Sequence, residues 1–520
     1  MPPRRSHICA NRLSHCLKKA NFKILAYLLY FFLATGVAVS QTVSEEVIFS
    51  PTLQKAYFEI QKLRISEATE IIKQEKIKNP GNPFIVYLEN YADLYYLLVS
   101  EDKKAYKNWQ GKEDQRLEIL DKLHKNNPFK RFFQAEIRVH SAFVKIKFGS
   151  EISGAWDVIK AVKLLEENKK LFPEFKPTYK TLGLLHILIG SVPDQYAWVT
   201  KILGLRGNIQ TGIKEIRMVS NGESIFSQEA KLIDILIHAY TLELSEDQLQ
   251  QLLKMAQTQP DNLLLHFFAA TTLMKESKGE EALHFLNRAV RSKNHLKFPL
   301  IEYIKAELYL QKGQYRDAEL NYSLFLKSQN GVNYIKDAYF KRFLCDWLEN
   351  PNEANKTLLD SVLKHGSNVL EADKMAVRLA KEFKTGKLSN ENRILFKARY
   401  ASDGGFLKLA NIALSDYNES SFTSTENKAE FNYRKGRIAQ KSHNFSSAIN
   451  HYQRTLSIIG DQYAGLGAAA ALQLGYIYQA QNSNTQALHY FRLATTFKNH
   501  DYKSSIDNKA QAAITGLTNK

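Results

Sequence analysis

Ala282, Ala318 and Ala354 recur at a constant step of 36 residues, and Phe267, Tyr303 and Tyr339 keep the same step beside them. A small residue and a large aromatic repeated at this interval describe a unit of two helices, which cannot bury its apolar face alone and must stack on its neighbours. The small residue marks where two antiparallel helices pass closest, and the large one fills the space between pairs. Such a chain is expected to be all-α. Its 520 residues need not divide into separate globular domains, because each unit packs only on the next.

The strongest copies lie near the C-terminus. Leu474, Gly475, Tyr478, Ala487, Phe491 and Ala494 surround a turn at Asn482-Ser483-Asn484, and Gly436, Ala439, Ala448, Tyr452 and Thr455 repeat those offsets around His443-Asn444. This pattern resembles the tetratricopeptide repeat, which implies a right-handed α-solenoid of helical hairpins. Weaker copies precede it. They are Ala270 with Ala282, Ala306 with Ala318 around Lys312-Gly313-Gln314, Arg342 with Ala354 around Glu349-Asn350-Pro351-Asn352, and Ala398 with Ala410 around Asp403-Gly404-Gly405. The repeat region is therefore placed at 259–520, and Ser415 to Asn427 is its longest loop and the best internal boundary.

Residues 41–258 read as less regular helical repeats, with apolar residues at three- and four-residue steps through Leu53 to Lys73, Phe84 to Val99, Phe129 to Phe148 and Ile152 to Leu171. Ala68 and Ala155 are candidate close-contact residues, and Pro80, Pro83, Pro128, Pro173 and Pro177 fall between the helical segments. No run alternates apolar and polar residues as a half-buried strand does.

A second pattern occupies the middle of the chain. Leu182-Gly183-Leu184-Leu185 leads to Ser191-Val192-Pro193, followed by Leu203-Gly204-Leu205-Arg206-Gly207-Asn208 and Gly212. It resembles the S-x-x-P…G-F-x-G-D-R-x-x-G stretch of the tetratricopeptide repeat protein 39 and fungal inclusion-body-clearance family. Leu205, Asn208 and Ile209 depart from that pattern. The resemblance implies an α-helical adaptor, and some such adaptors associate with lipid surfaces. Read on their own, Gly207 suits a turn with positive φ, Gly212 a close helix passage, and Pro193 after Ser191 the first turn of a helix. The bland reading is an architectural corner.

The start of the chain has a different logic. Arg4, Arg5, Arg12, Lys18, Lys19 and Lys23 precede the apolar run Ile24 to Val39 and the small residues Ala38-Val39-Ser40. This is the order of a secretory signal peptide, so residues 1–40 are expected to be removed after Ser40. An uncleaved anchor is the alternative. Removal would take Cys9 and Cys16, leaving Cys345 as a buried apolar residue with no partner for a disulfide. It would also lower the net charge from +18 to +12, since the removed segment carries six cations and no acid.

Basic residues Lys103, Lys104, Lys107, Lys130, Arg131, Lys145 and Lys147 raise the question of an anionic surface such as lipid headgroups. Interleaved acids favour a solvated face, with peripheral membrane contact as the companion expectation. No nucleic-acid motif appears. No metal-ligand spacing, nucleophile elbow or phosphate loop is present, and Gly465 to Ala470 reads as the opening of a repeat helix. Neither a cofactor nor catalysis is expected.

What remains is an interaction surface. Counting along the repeat, the first helices present Phe267, Tyr303, Glu307, Tyr339, Tyr433, Arg437, Gln440, Lys441, Tyr476 and Gln479 to a groove suited to a protein or peptide. Ala282, Ala318, Ala354, Gly436, Ala448, Gly475 and Ala487 hold the hairpins together. The reading is a non-catalytic, exported scaffold of the periplasm or outer envelope. The alternatives are a carbohydrate-binding surface protein of helical repeats, which the 4 Trp and the absent lipoprotein Cys disfavour, and an envelope hydrolase with an unrecognised site.

Overall fold

The computed structural model describes residues 46–191, 207–459, 464–500 and 502–518, so the expected signal segment and residues 192–206 lie outside the described residues. Among the described residues there are helices and turns but no strand. Two compact units interleave along the chain: unit 1 holds residues up to Thr272 with Phe285–Phe298 and Ser328–Gly331, and unit 2 holds Leu273–His284, Pro299–Lys327 and Val332–Lys520.

The helices are α1 Pro51–Gln61, α2 Ile65–Lys78, α3 Pro83–Ser100, α4 Lys103–Trp109, α5 Lys112–Asp121, α6 Pro128–Lys147, α7 Glu151–Leu171, α8 Thr178–Gly190 and α9 Ile209–Ser220. They continue through α10 Ser227–Tyr240, α11 Glu246–Thr258, α12 Leu263–Lys275, α13 Gly279–Arg288, α14 Pro299–Gln311, α15 Tyr315–Ser328, α16 Ile335–Glu349, α17 Thr357–Lys364 and α18 Glu371–Lys384. The last are α19 Asn390–Asp403, α20 Leu407–Leu414, α21 Thr425–Lys441, α22 Phe445–Ile459, α23 Ala464–Ala480, α24 Asn484–Thr496 and α25 Lys503–Thr518. Pro83 and Pro128 prove to be first helical residues. Asn82 and Asn127 accept the N–H of Phe84 and Phe129 there, so proline's missing donor costs nothing.

One local device recurs in both units. The fourth residue of the second helix is small and buried at Ala68, Gly154, Gly212, Ala282, Ala318, Ala410, Ala448 and Ala487. Five residues earlier, Leu63, Gly149, Ser277, Gly313, Gly405, His443 and Asn482 all have positive φ. Each of these left-handed residues donates its N–H three residues back and its successor donates five back, as in His443 to Gln440 and Asn444 to Ala439. This Schellman closure satisfies helix-end carbonyls and reverses the chain in two residues.

The reversal brings the helices together at the expected positions. A Cβ on Gly436 would lie 2.7 Å from Tyr452, and one on Gly475 would lie 2.5 Å from Phe491. Tyr452, Phe491, Ala448 and Ala487 have no exposed surface.

Four expectations need correction. Ala354 is not a close-contact residue: α16 stops at Glu349 and α17 begins at Thr357, leaving Ala354 half-buried in the connection. The Asn355 side chain accepts the Thr357 N–H and hydroxyl, which starts that helix beyond the alanine. In α7 the contact falls on Gly154, where a Cβ would meet Ile146 at 2.6 Å, rather than on half-buried Ala155. Gly207 does not adopt positive φ; a Cβ there would come within 2.1 Å of the Gly190 nitrogen, so crowding and not handedness demands glycine. The loop 415–424, with a 3-10 turn at Glu419–Ser421, lies inside unit 2 and separates nothing.

Gly212 fulfils its reading, since a Cβ on it would sit 2.4 Å from the Gly183 carbonyl oxygen. The core of unit 1 is aromatic, with Tyr57 and Tyr87 each stacked on Tyr91 at 5.2 and 5.4 Å. Buried among these elements, Lys180 donates to Glu136 at 2.8 Å and Glu229 at 3.0 Å.

Candidate functional site

In unit 2, α21 places Tyr433, Arg437 and Lys441 at four-residue steps, which puts them on one face beside Gln440. Gln473, Tyr476 and Gln479 take three-residue steps along α23. The two first helices are tied across this face where Arg437 donates to Gln473 at 2.8 Å, and within the hairpin the Tyr452 hydroxyl of α22 donates to Gln440 at 2.6 Å. Tyr433 packs on Tyr452 at 5.7 Å and Tyr476 on Phe491 at 5.2 Å, so each phenol is held by its ring while keeping accessible surface. Lys441 reaches back to the Ser402 carbonyl at 2.5 Å and the Ser277 hydroxyl at 2.7 Å.

Tyr303 and Tyr339 are placed differently. Tyr303 is buried and donates to Asp337 at 2.5 Å. Lys341 pairs with Glu307 at 2.6 Å and Asp337 at 2.9 Å, so Glu307 also belongs to an internal network. Tyr339 is half-buried against the His365 ring at 5.6 Å. In unit 1, Phe267 packs on Phe298 at 4.9 Å.

The cations around α21 form a set that sequence reasoning missed in part. Burial, and next the neighbouring Arg437, lower Lys441 to about 8 against the opposing pull of Asp403. Burial also lowers Lys509, with Arg437 adding to the effect, and Lys275, where Lys509 adds and Glu276 opposes. Lys275 and Lys509 nevertheless remain exposed, and Lys441 and Arg437 half-exposed. Lys341 shows the contrary case: burial opposes its charge, but Asp337 and Glu307 outweigh that and raise it. A usable signal existed in the sequence. Lys275 and Lys441 both precede the left-handed turn residue by two places, and Arg399 and Arg437 by six.

Unit 1 carries a distinct cleft of about 870 Å³ between α4, α5, α6 and α7. Its base is an ion cluster in which Lys145 meets Glu113 at 2.5 Å and Asp157 at 2.6 Å, with Arg138 at 3.5 and 3.6 Å from the same two acids. Burial raises Glu113 despite Lys145. It opposes the charge on Lys145, which hydrogen bonds to Asp157 and Glu113 nonetheless raise.

Other basic residues are similarly engaged, Lys147 with Glu101 at 2.8 Å and Arg131 with Glu167 at 2.7 Å, whereas Lys103, Lys104 and Lys107 are exposed. Cys345 is free and buried, and burial pushes its thiol well up. Among the described residues no group of His, Cys, Asp and Glu could hold a metal ion, and no helix is long and apolar enough to cross a membrane.

The small contact residue, the left-handed turn and the stacked hairpins together define the class, an all-α protein of tetratricopeptide-type helical repeats. No family model matches the chain, and no curated protein does. Among solved structures it is similar to yeast Tom70, at 11% identity over 89% of this chain and 88% of that one, with a TM-score of 0.33. It is also similar to the quorum sensor NprR from B. thuringiensis, at 12% identity over 86% and 98% with a TM-score of 0.28. The Cut9–Hcn1 hetero-tetramer of APC/C gives 13% identity over 91% and 94%, with a TM-score of 0.23.

Proposed function

We propose that this chain is a non-catalytic scaffold that holds an acidic segment of a protein partner on the shared face of α21 and α23, and that it works in the cell envelope. The observation that carries the reading is the cationic wall of Lys275, Arg399, Arg437, Lys441 and Lys509, crowded yet accessible, next to the half-exposed Tyr433 and Tyr476. Three of these cations, Arg399, Arg437 and Lys441, share one nearby acid, Asp403, with Glu430 acting on Arg399 as well. A carboxylate-bearing partner would supply the missing charge, the phenols would cover its aliphatic stems, and the Gln440, Gln473 and Gln479 amides would meet its main chain.

The envelope assignment is supported by the basic lead, the apolar run and Ala38-Val39-Ser40. N-terminal sequencing of the chain recovered from its own cell should begin at Gln41; recovery of intact residues 1–40 from the cytosolic fraction would refute export. For the partner, the full chain carrying Y433A, R437A, K441M and Y476A is compared with wild type by crosslinking and pull-down, with circular dichroism as the folding control. Capture should be lost in the variant and weakened by salt in the wild type. Identical capture by a folded variant would place the interface elsewhere.

A further inference from the structure

The cleft of unit 1 is independent of the face proposed for the partner, and its lining is unusual in composition. Its deepest charged groups, Glu113, Asp157, Lys145 and Arg138, already satisfy one another within 3.6 Å. An ionic ligand would have to separate this buried cluster, which is unfavourable because each released charge would be left desolvated. A purely apolar ligand is equally unsuited, because it would cover carboxylate oxygens and guanidinium N–H groups that retain further hydrogen-bonding capacity.

The walls add the opposite chemistry. Tyr106 lies parallel to Phe148 at 4.2 Å and 2°, and stacks on buried Trp109 at 5.8 Å. These contacts fix the ring and leave it little rotational freedom. Across the rim, Trp156 is 53% exposed and Ile152 40% exposed, although both lie on a helix whose neighbours Gly154 and Asp157 are buried. Trp156 lines the same cleft as the ion cluster, so it offers a flat apolar face beside fixed donors and acceptors. The volume is within the ~300–1,000 Å³ typical of small-molecule sites.

A ligand that meets these requirements is neutral, carries many hydroxyls that each donate and accept, and has one apolar C–H face. We propose that this cleft binds a neutral saccharide, its ring stacked on Trp156 and its hydroxyls hydrogen-bonded to Glu113, Asp157 and Arg138. The site is separate from the acidic-peptide face, so either can fail without the other.

The test uses the full chain and neutral hexasaccharides of α-1,4-glucose, β-1,4-glucose, β-1,4-xylose and β-1,4-N-acetylglucosamine, titrated by calorimetry with tryptophan fluorescence as a second readout. Binding of at least one is expected, weakened about ten-fold or more by Trp156→Ala, which removes the stacking face. Ser153→Arg, at an exposed position of the rim, should block the cleft without touching the core. Circular dichroism verifies both variants. No binding by any of the four sugars would overturn the proposal, as would binding that both variants leave unchanged. Binding confined to an anionic polymer such as polygalacturonate would also overturn it.

Discussion

Replacing Lys180 with methionine tests the most demanding electrostatic arrangement in the protein. Lys180 is wholly buried, its ammonium lies between Glu136 and Glu229, and the Tyr57 hydroxyl donates to Glu229 at 2.7 Å. Burial opposes the charge on Lys180, but the two carboxylates outweigh it and raise its pKa; burial raises Glu136 even with Lys180 present. Methionine fills similar volume yet strands two carboxylates in an aromatic core. Removing one partner of a buried ion pair typically costs about 3–5 kcal/mol. For a cooperative unit of this size that corresponds to a melting transition lower by roughly 6–20 °C. The sign of the pH dependence follows. Glu136 has a folded pKa above its unfolded value, so its contribution is fully present below the unfolded pKa and is lost as pH rises through the folded one. In K180M that effect grows, so the deficit relative to wild type should be largest at pH 7–8 and shrink toward the ordinary carboxyl pKa of ~4.3. Scanning calorimetry from pH 5 to 8 reads both quantities, and adding E136Q and E229Q should recover much of the loss. A deficit under about 1 kcal/mol, or one flat with pH, would refute the claim that the lysine compensates buried negative charge.

Other outcomes follow from the same reasoning. Gly212→Ala drives a methyl to 2.4 Å from the Gly183 carbonyl and should cost about 1–3 kcal/mol in urea unfolding, whereas Gly516→Ala, with nothing within 4 Å, should be neutral or slightly stabilising. Asp373 accepts the N–H groups of Tyr334 and Asp337, and burial lifts it to about 6. Its contribution is therefore present below the unfolded value and lost as pH rises through about 6, and D373N should flatten the stability of unit 2 between pH 4 and 7. Because Lys441 is lowered to about 8, capture of an acidic partner should weaken between pH 7 and 9, and Lys441→Arg should abolish that decline.

Much of the architecture was legible because hairpin closure is local. Within about ten residues, a left-handed turn residue, two connecting residues and a small residue on the next helix specify how two helices meet. That is why the copies at Ala448 and Ala487 could be recognised from spacing alone. Ala354 misled because its step of 36 survives while the helix that should carry it begins three residues later. The face of Tyr433, Arg437 and Tyr476 was accessible to the same counting, but Tyr303 was not. The carboxylate it reaches stands 34 residues away on another helix, and periodicity cannot report that partner.

The sequence by itself therefore determined an all-α chain, the hairpin register and the residues at which backbones approach, since each depends on turn handedness, side-chain size and helical period. The tertiary structure alone decided which charges would be neutralised and which left facing water. Lys180 meets acids 44 and 49 residues distant, while Lys441 meets backbone carbonyls and other cations, and both are plain lysines in the chain. Electrostatic environment depends on distances across packed elements, and these exist only after the chain has folded.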